Sequence, residues 1–242
     1  MKVSKPQVFQ FKQFEVDQTN CGMKINTDGV LLGALLKPDY PETILDIGTG
    51  TGVIALMLAQ RFPAAKVVAV EIDAHAAETA SANFRSSPFA DRLSLHAGSF
   101  QDYLRTGSPV KYDLIVSNPP FFLNSIKNAN LRKQTARHTD HNFFSDLLSL
   151  TADSLNANGN LSLILPLATV QIAAVNAREA GLFLLNEIEV SSFPSSVPHR
   201  KIVTFGLSNS KEASTTSFAI YEREKRYSEQ YKEALKDFFT IF

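Results

Sequence analysis

Between residues 43 and 166, short apolar runs alternate with longer stretches whose apolar positions recur every three or four residues. "TILDIG" (43–48), "KVVAVEI" (66–72), "RLSLHAGS" (92–99), "YDLIVSN" (112–118) and "NLSLILP" (160–166) are short and mostly apolar. They predict strands. "GVIALMLAQRF" (52–62), "AHAAETASANFR" (74–85), "NFFSDLLSLTADSLNAN" (142–158) and "ATVQIAAVNAREAG" (168–181) carry helical periodicity. Pro63 stops the first of these, Gly159 ends the third and Gly181 closes the fourth. Strands are predicted again at 184–190, 202–208 and 217–221, and a final helix at 228–241. Alternation of this kind makes a parallel sheet wrapped on both faces. The strand-rich tail adds antiparallel pairing at one edge.

The head has a different pattern. Phe9 and Phe11 alternate in "VFQFKQFEV", which suggests a strand or hairpin. "NTDGVLLGALL" reads as a helix that Asn26, Thr27 or Asp28 can cap, before Pro38 and Pro41 break the chain. Residues 1–40 are therefore expected as an N-terminal extension packed on a main domain of residues 41–242.

Composition narrows the class. The chain has 242 residues, 44% hydrophobic and 20% charged, as in an ordinary soluble domain. Lys plus Arg and Asp plus Glu balance at 24 each, so a nucleic-acid partner would need a local basic surface. The single cysteine, Cys21, excludes an internal disulfide and a cysteine cluster, and fits a reducing cytoplasm. His138 and His141 are neighbours, but the scattered histidines argue against a metal site. The first residues lack the apolar core of a signal peptide, and no apolar run is long enough to span a membrane.

Chemistry gathers at predicted strand ends. "LDIGTGTG" puts Asp46 at the end of a strand, with Gly48, Gly50 and Gly52 before a helix. Such glycines let a ligand touch backbone at a helix N-terminus. Glu71 ends the next strand, at the spacing of a ribose-binding acid. Two cofactor classes use this layout. "GTGVIA" (50–55) fits a dinucleotide fingerprint, which would make the protein a NAD-dependent oxidoreductase. The acid two residues before G-x-G-x-G fits S-adenosylmethionine better, because its ammonium welcomes a carboxylate that a pyrophosphate would repel. An ordinary strand-to-helix turn remains the plain reading. At the third strand end, Ser99 can contact an adenine and Phe100 can cover a ring face.

The fourth strand ends in "NPPFF". Neither Pro119 nor Pro120 can donate to a sheet ladder. Both fix φ, holding the side-chain carbonyl of Asn118 and the backbone carbonyls of 118 and 119 in place. Phe121 offers a flat face for stacking. Two acceptors on the hydrogens of an exocyclic amine pull its nitrogen toward tetrahedral geometry and free the lone pair for attack on a sulfonium methyl. This is catalysis by positioning and placed dipoles.

Taken in order, "LDIGTGTG", Glu71 and "NPPF" resemble class I S-adenosylmethionine-dependent methyltransferases with an N-P-P-[YF] motif, across about residues 43–166. The resemblance implies a Rossmann-like, doubly wound α/β fold, with a mostly parallel seven-stranded sheet, an antiparallel edge and a short N-terminal extension. It implies cofactor contacts from Thr27, Asp28, Asp46, Gly48, Thr49, Gly50, Gly52, Glu71, Ile72, Ser99, Phe100 and Asn118. The target amine would lie against Asn118, Pro119, Pro120 and Phe121. The head, with Met23, Lys24, Thr27 and Asp28, and the tail "FPSSVPHRKIVTF" resemble bacterial enzymes that methylate N6 of the adenine beside the anticodon of valine tRNA. A tRNA partner agrees with the cationic stretch after the clamp, where Lys127, Arg132, Lys133, Arg137 and His138 are candidate RNA contacts. The same core serves enzymes acting on guanine N2 of ribosomal RNA or on a release-factor glutamine, and an RNA-binding module with a vestigial site is a further alternative. Oligomeric state is open, a monomer included.

Overall fold

The computed structural model describes residues 7–19, 21–106, 110–120, 132–209 and 212–242, with backbone alone for 132–141. The head forms the hairpin β1 (Val8–Gln10) and β2 (Glu15–Asp17), then α1 (Thr27–Leu35). The core follows as β3 (Thr43–Ile47), α2 (Val53–Arg61), β4 (Lys66–Glu71), α3 (Ala74–Ser86), β5 (Leu93–Ala97), α4 (Phe100–Arg105), β6 (Tyr112–Ser117), α5 (Arg132–Ser154), β7 (Leu155–Pro166) and α6 (Leu167–Glu179). The tail is β8 (Phe183–Ser191), β9 (Arg200–Gly206), β10 (Ser214–Ala219), the short hairpin β11 (Tyr221–Arg223) and β12 (Arg226–Tyr227), and α7 (Glu229–Leu235).

The expected doubly wound sheet is present, with the order β10-β8-β9-β7-β6-β3-β4-β5. All neighbours are parallel except β9, which runs antiparallel to both β7 and β8. The sheet has eight strands rather than seven, because Ser214–Ala219 adds in parallel outside β8. Period-two alternation splits its side chains between two cores. Ile44 joins the layer of α1, α2 and α7, while Leu45 and Ile47 join the layer of α4, α5 and α6. Phe11, Phe14, Val16 and Leu31 of the head are buried in the first of these cores.

Three local features differ from expectation. The helix expected at 142–158 runs from Arg132 to Ser154 and gives way to strand at Leu155. Gly159 does not end it. A Cβ there would lie 2.5 Å from the backbone oxygen of Tyr112, so the glycine permits close approach of β6 and β7. α4 was not anticipated, because Ser99 acts as its N-cap: the hydroxyl accepts from the Asp102 amide at 3.0 Å.

The chain leaves β3, builds β4 and β5 on one side, and returns to place β6 on the other. The carboxyl ends of β3 and β6 therefore flank a topological switch point, where open α/β sheets bind ligands.

Candidate active site

The glycine loop after β3 is held in a backbone that L-residues resist. Gly48, Gly50 and Gly52 have φ of 72°, 57° and 84°. Its amides are already occupied. Gly48 and Thr49 donate to the Val70 carbonyl at 2.8 and 3.2 Å, Gly50 to Oε2 of Glu71 at 2.8 Å, and Gly52 to the Thr49 carbonyl at 2.9 Å. The other Glu71 oxygen accepts from the Asp73 amide at 2.9 Å. Glu71 is thus fixed between the loop and the start of α3. Asn83 of α3 adds a second clip, donating to the carbonyls of Thr51 and Asp17.

Asp46 lies beneath this loop, wholly buried. Its Oδ2 accepts from the Thr49 hydroxyl at 2.6 Å, and its Oδ1 is buried without a partner. Burial pushes its carboxyl up to about 7, opposed by the hydrogen bond of the Thr49 hydroxyl and by the Ala55 amide, while the charge of Glu71 adds to the rise.

A cavity of about 590 Å³ opens beside the loop. Gly48, Gly50, Glu71, Ile72, Ser99, Phe100, Asn118 and Pro120 of the expected set line it. Ile72 is 75% exposed, an apolar face turned outward at the cavity wall. Phe100 meets Phe143 of α5 edge to face, with centroids 5.7 Å apart. The hydroxyl of Ser99 is committed to its cap, donating also to Oδ2 of Asp102 at 2.7 Å.

β6 delivers the proline knot to the same cavity. The Ser117 hydroxyl donates to the Ile47 carbonyl at 2.8 Å and ties the ends of β3 and β6 together. Asn118 follows, and its Oδ1 is buried with no hydrogen-bond partner among the described residues. A buried lone acceptor is costly unless a ligand satisfies it. Pro119 is buried behind it, and Pro120 faces the cavity.

The donor set distinguishes the two cofactor classes. A pyrophosphate needs free loop amides, and those of Gly48, Thr49, Gly50 and Gly52 are taken. The unsatisfied Oδ1 of Asn118, which borders the cavity, instead calls for a donor. These residues fit S-adenosylmethionine.

Other expected residues lie elsewhere. Thr27 and Asp28 do not line the cavity: Asp28 pairs with Arg200 at 2.7 Å, and Asn26 caps α1 by accepting from the Gly29 amide. Thr49 lines a small adjoining hollow with Met23, Lys24, Asn26 and Asn118. Phe121 and Lys127 lie outside the described residues. Arg132, Lys133, Arg137 and His138 belong to the first turns of α5 rather than to a loop. Cys21 lies in the head, where burial pushes its thiol up, away from a nucleophile's range. Sequence reasoning missed Gly22, Asp73, His75, Gln101 and Phe143 at the cavity. Asp73 carried a signal, two residues past Glu71; Phe143 read as ordinary core.

Comparison with known proteins gives the lineage. The model of the methyltransferase small domain matches residues 21–167. A tRNA1(Val) (adenine(37)-N6)-methyltransferase of Pedobacter heparinus is 48% identical over 235 residues, covering 97% of this chain and 98% of that one. Its counterpart in Bacteroides thetaiotaomicron is 40% identical, covering 96% of each. Among solved structures, a predicted O-methyltransferase of Agrobacterium tumefaciens superposes with a TM-score of 0.64 at 16% identity, covering 87% of this chain and 95% of that one. Pyrococcus horikoshii TYW2 in complex with MeSAdo gives 0.55 at 17%, covering 86% and 74%. The likeness in structure is one of fold, and the likeness in sequence runs almost end to end: the chain belongs to the tRNA1(Val) (adenine(37)-N6)-methyltransferase family.

Proposed function

We propose that the protein transfers a methyl group from S-adenosylmethionine to the exocyclic N6 amine of an adenine in tRNA, the adenine beside the anticodon of tRNA(Val). The observation that carries this reading is the buried, unpartnered Oδ1 of Asn118, which shares a cavity with the glycine loop and Glu71. The names of the relatives support the choice of substrate.

When bound, the cofactor supplies an electrophilic methyl on a sulfonium. The residues of the chain do the rest. Glu71 holds a ribose diol through lone pairs left over from its two amide bonds, and Asp46, buried beneath the loop, fixes through Thr49 the turn that meets the methionyl end. Asn118 Oδ1 accepts one hydrogen of the target amine, and a backbone carbonyl of the proline knot accepts the other. The nitrogen is thereby drawn toward tetrahedral geometry, and its proton leaves late to solvent without a strong base. Phe121 stacks on the flipped base, as aromatic side chains do for unstacked bases. Lys127, Arg132, Lys133, Arg137 and His138 meet the flanking phosphates. No step needs a metal.

Residues 41–242 form the methyltransferase domain, and residues 1–40 are an extension that shares its core. A tRNA substrate makes the cytoplasm the place of work, and no helix among the described residues is long and apolar enough to cross a membrane. The mechanism needs only one copy of the chain. Methyl transfer from labelled cofactor to a tRNA(Val) transcript tests the substrate. Label should enter the native transcript and not one in which guanine replaces the adenine beside the anticodon. Equal label in both, or label in neither, would contradict the proposal.

A further inference from the structure

The cleft is sorted by charge along its length. Among the described residues, the larger cavity, on the Glu71 side, is lined by two carboxylates, Glu71 and Asp73, and by no lysine or arginine. The small hollow on the other side of the glycine loop reverses this. Lys24, Asn26, Thr49 and Thr51 line it, with no acid among the described residues. The two spaces are neighbours, with Met23, Gly48, Gly50 and Asn118 bordering both. Lys24 is exposed, and among the described residues it makes no hydrogen bond or ion pair. The other charge expected from the head is already spent, because Asp28 is bound to Arg200.

S-adenosylmethionine is sorted in the same sense. Its ribose diol wants acceptors and its methionyl end carries a carboxylate. We infer that Lys24 holds that carboxylate, with the Lys24 ammonium donating to it across the hollow. The inference rests on the cofactor reading above and adds to it a residue outside the fold's usual glycine and acid motifs. It also explains how the segment before α1 contributes to binding: residues 23–26 border the hollow, whereas Thr27 and Asp28 do not. A phosphate of the substrate RNA is the other oxyanion such an ammonium can hold. The carboxylate is favoured because the hollow borders the loop itself, through Gly48, Thr49 and Gly50.

Calorimetry with two adenosyl ligands separates the possibilities. S-adenosylhomocysteine carries the carboxylate, and 5′-methylthioadenosine lacks the whole amino acid. Lys24→Ala should weaken S-adenosylhomocysteine about tenfold, as loss of a charge-assisted hydrogen bond does. It should leave 5′-methylthioadenosine within about twofold, which also shows that the variant is folded. Lys24→Arg should restore most of the loss. Equal weakening of both ligands, or no weakening of either, overturns the assignment while leaving the cofactor reading in place. A raised KM for tRNA with unchanged S-adenosylhomocysteine affinity overturns it in favour of a phosphate contact. A wild-type chain that binds neither ligand overturns the cofactor reading and this assignment together.

Discussion

Asn118 and Asp46 are the two proposed site residues with a buried side-chain oxygen that lacks a hydrogen-bond partner among the described residues. Asn118→Ala removes the acceptor for the amine without touching the glycine loop. It should lower kcat by about a hundredfold or more, the scale for one preorganised polar group, with a far smaller change in affinity for S-adenosylhomocysteine by calorimetry. Equal losses in kcat and in cofactor affinity would instead make Asn118 a structural residue. Asp46 gives a pH signature. Its folded pKa of about 7 lies above the ordinary carboxyl value, so between the two the folded chain keeps a proton that the unfolded chain has lost. Stability therefore falls as pH rises through that window. Melting of the free protein at pH 5 and pH 8 should show a larger loss for wild type than for Asp46→Asn, and parallel curves would count against it. Both residues were legible in the sequence because motif spacing puts them at strand ends. The role of Ser99 was not, since a serine at a strand end can contact a ligand or cap a helix, and only the Asp102 amide decides.

At the level of elements, the loop between β3 and α2 depends on backbone freedom, and its glycines are not equivalent. A Cβ on Gly52 would stand 2.5 Å from a ring carbon of Phe84, at φ of 84°. A Cβ on Gly50 would meet nothing within 4 Å. Gly50→Ala should cost about 1–2 kcal/mol, the left-handed strain alone. Gly52→Ala should cost about 2–4 kcal/mol, strain plus overpacking against α3. Thermal melts of the two variants measure the difference, and equal losses would contradict it. Apart from α4, strand and helix positions were readable from periodicity between 43 and 118, where the elements are bounded by turn residues. The reading failed at 155–159, where helical periodicity runs on into a strand. There "NANGN" looked like a helix end, but the pairing of β7 with β6 and the need for glycine beside Tyr112 decided otherwise.

For the whole molecule, head and tail close on each other beside the main sheet. Phe11 bridges to Phe239, and the Lys12 ammonium donates to the carbonyl oxygens of Lys236 and Phe242 at 2.5 and 2.8 Å. Phe11 stacks on Phe14 with centroids 4.4 Å apart, inside the core that includes Ile44 and Leu56. An extension built in this way should melt with its domain. Phe11→Ala should lower the stability of the whole chain by about 3–5 kcal/mol in one transition, and a separate early transition would mark an independent unit. These long-range contacts were not legible, because hydrophobic alternation in the head shows that a face is buried and not what it is buried against. The sequence did carry the order of the motifs, and that order is what makes Asn118 a catalytic candidate rather than a turn residue. Mass spectrometry of nucleosides from tRNA incubated with the protein and S-adenosylmethionine is the most direct test. Wild type should yield N6-methyladenosine beside the anticodon of tRNA(Val), and Asn118→Ala should yield almost none. Methylated guanine, no RNA product, or undiminished product from the variant would contradict the account.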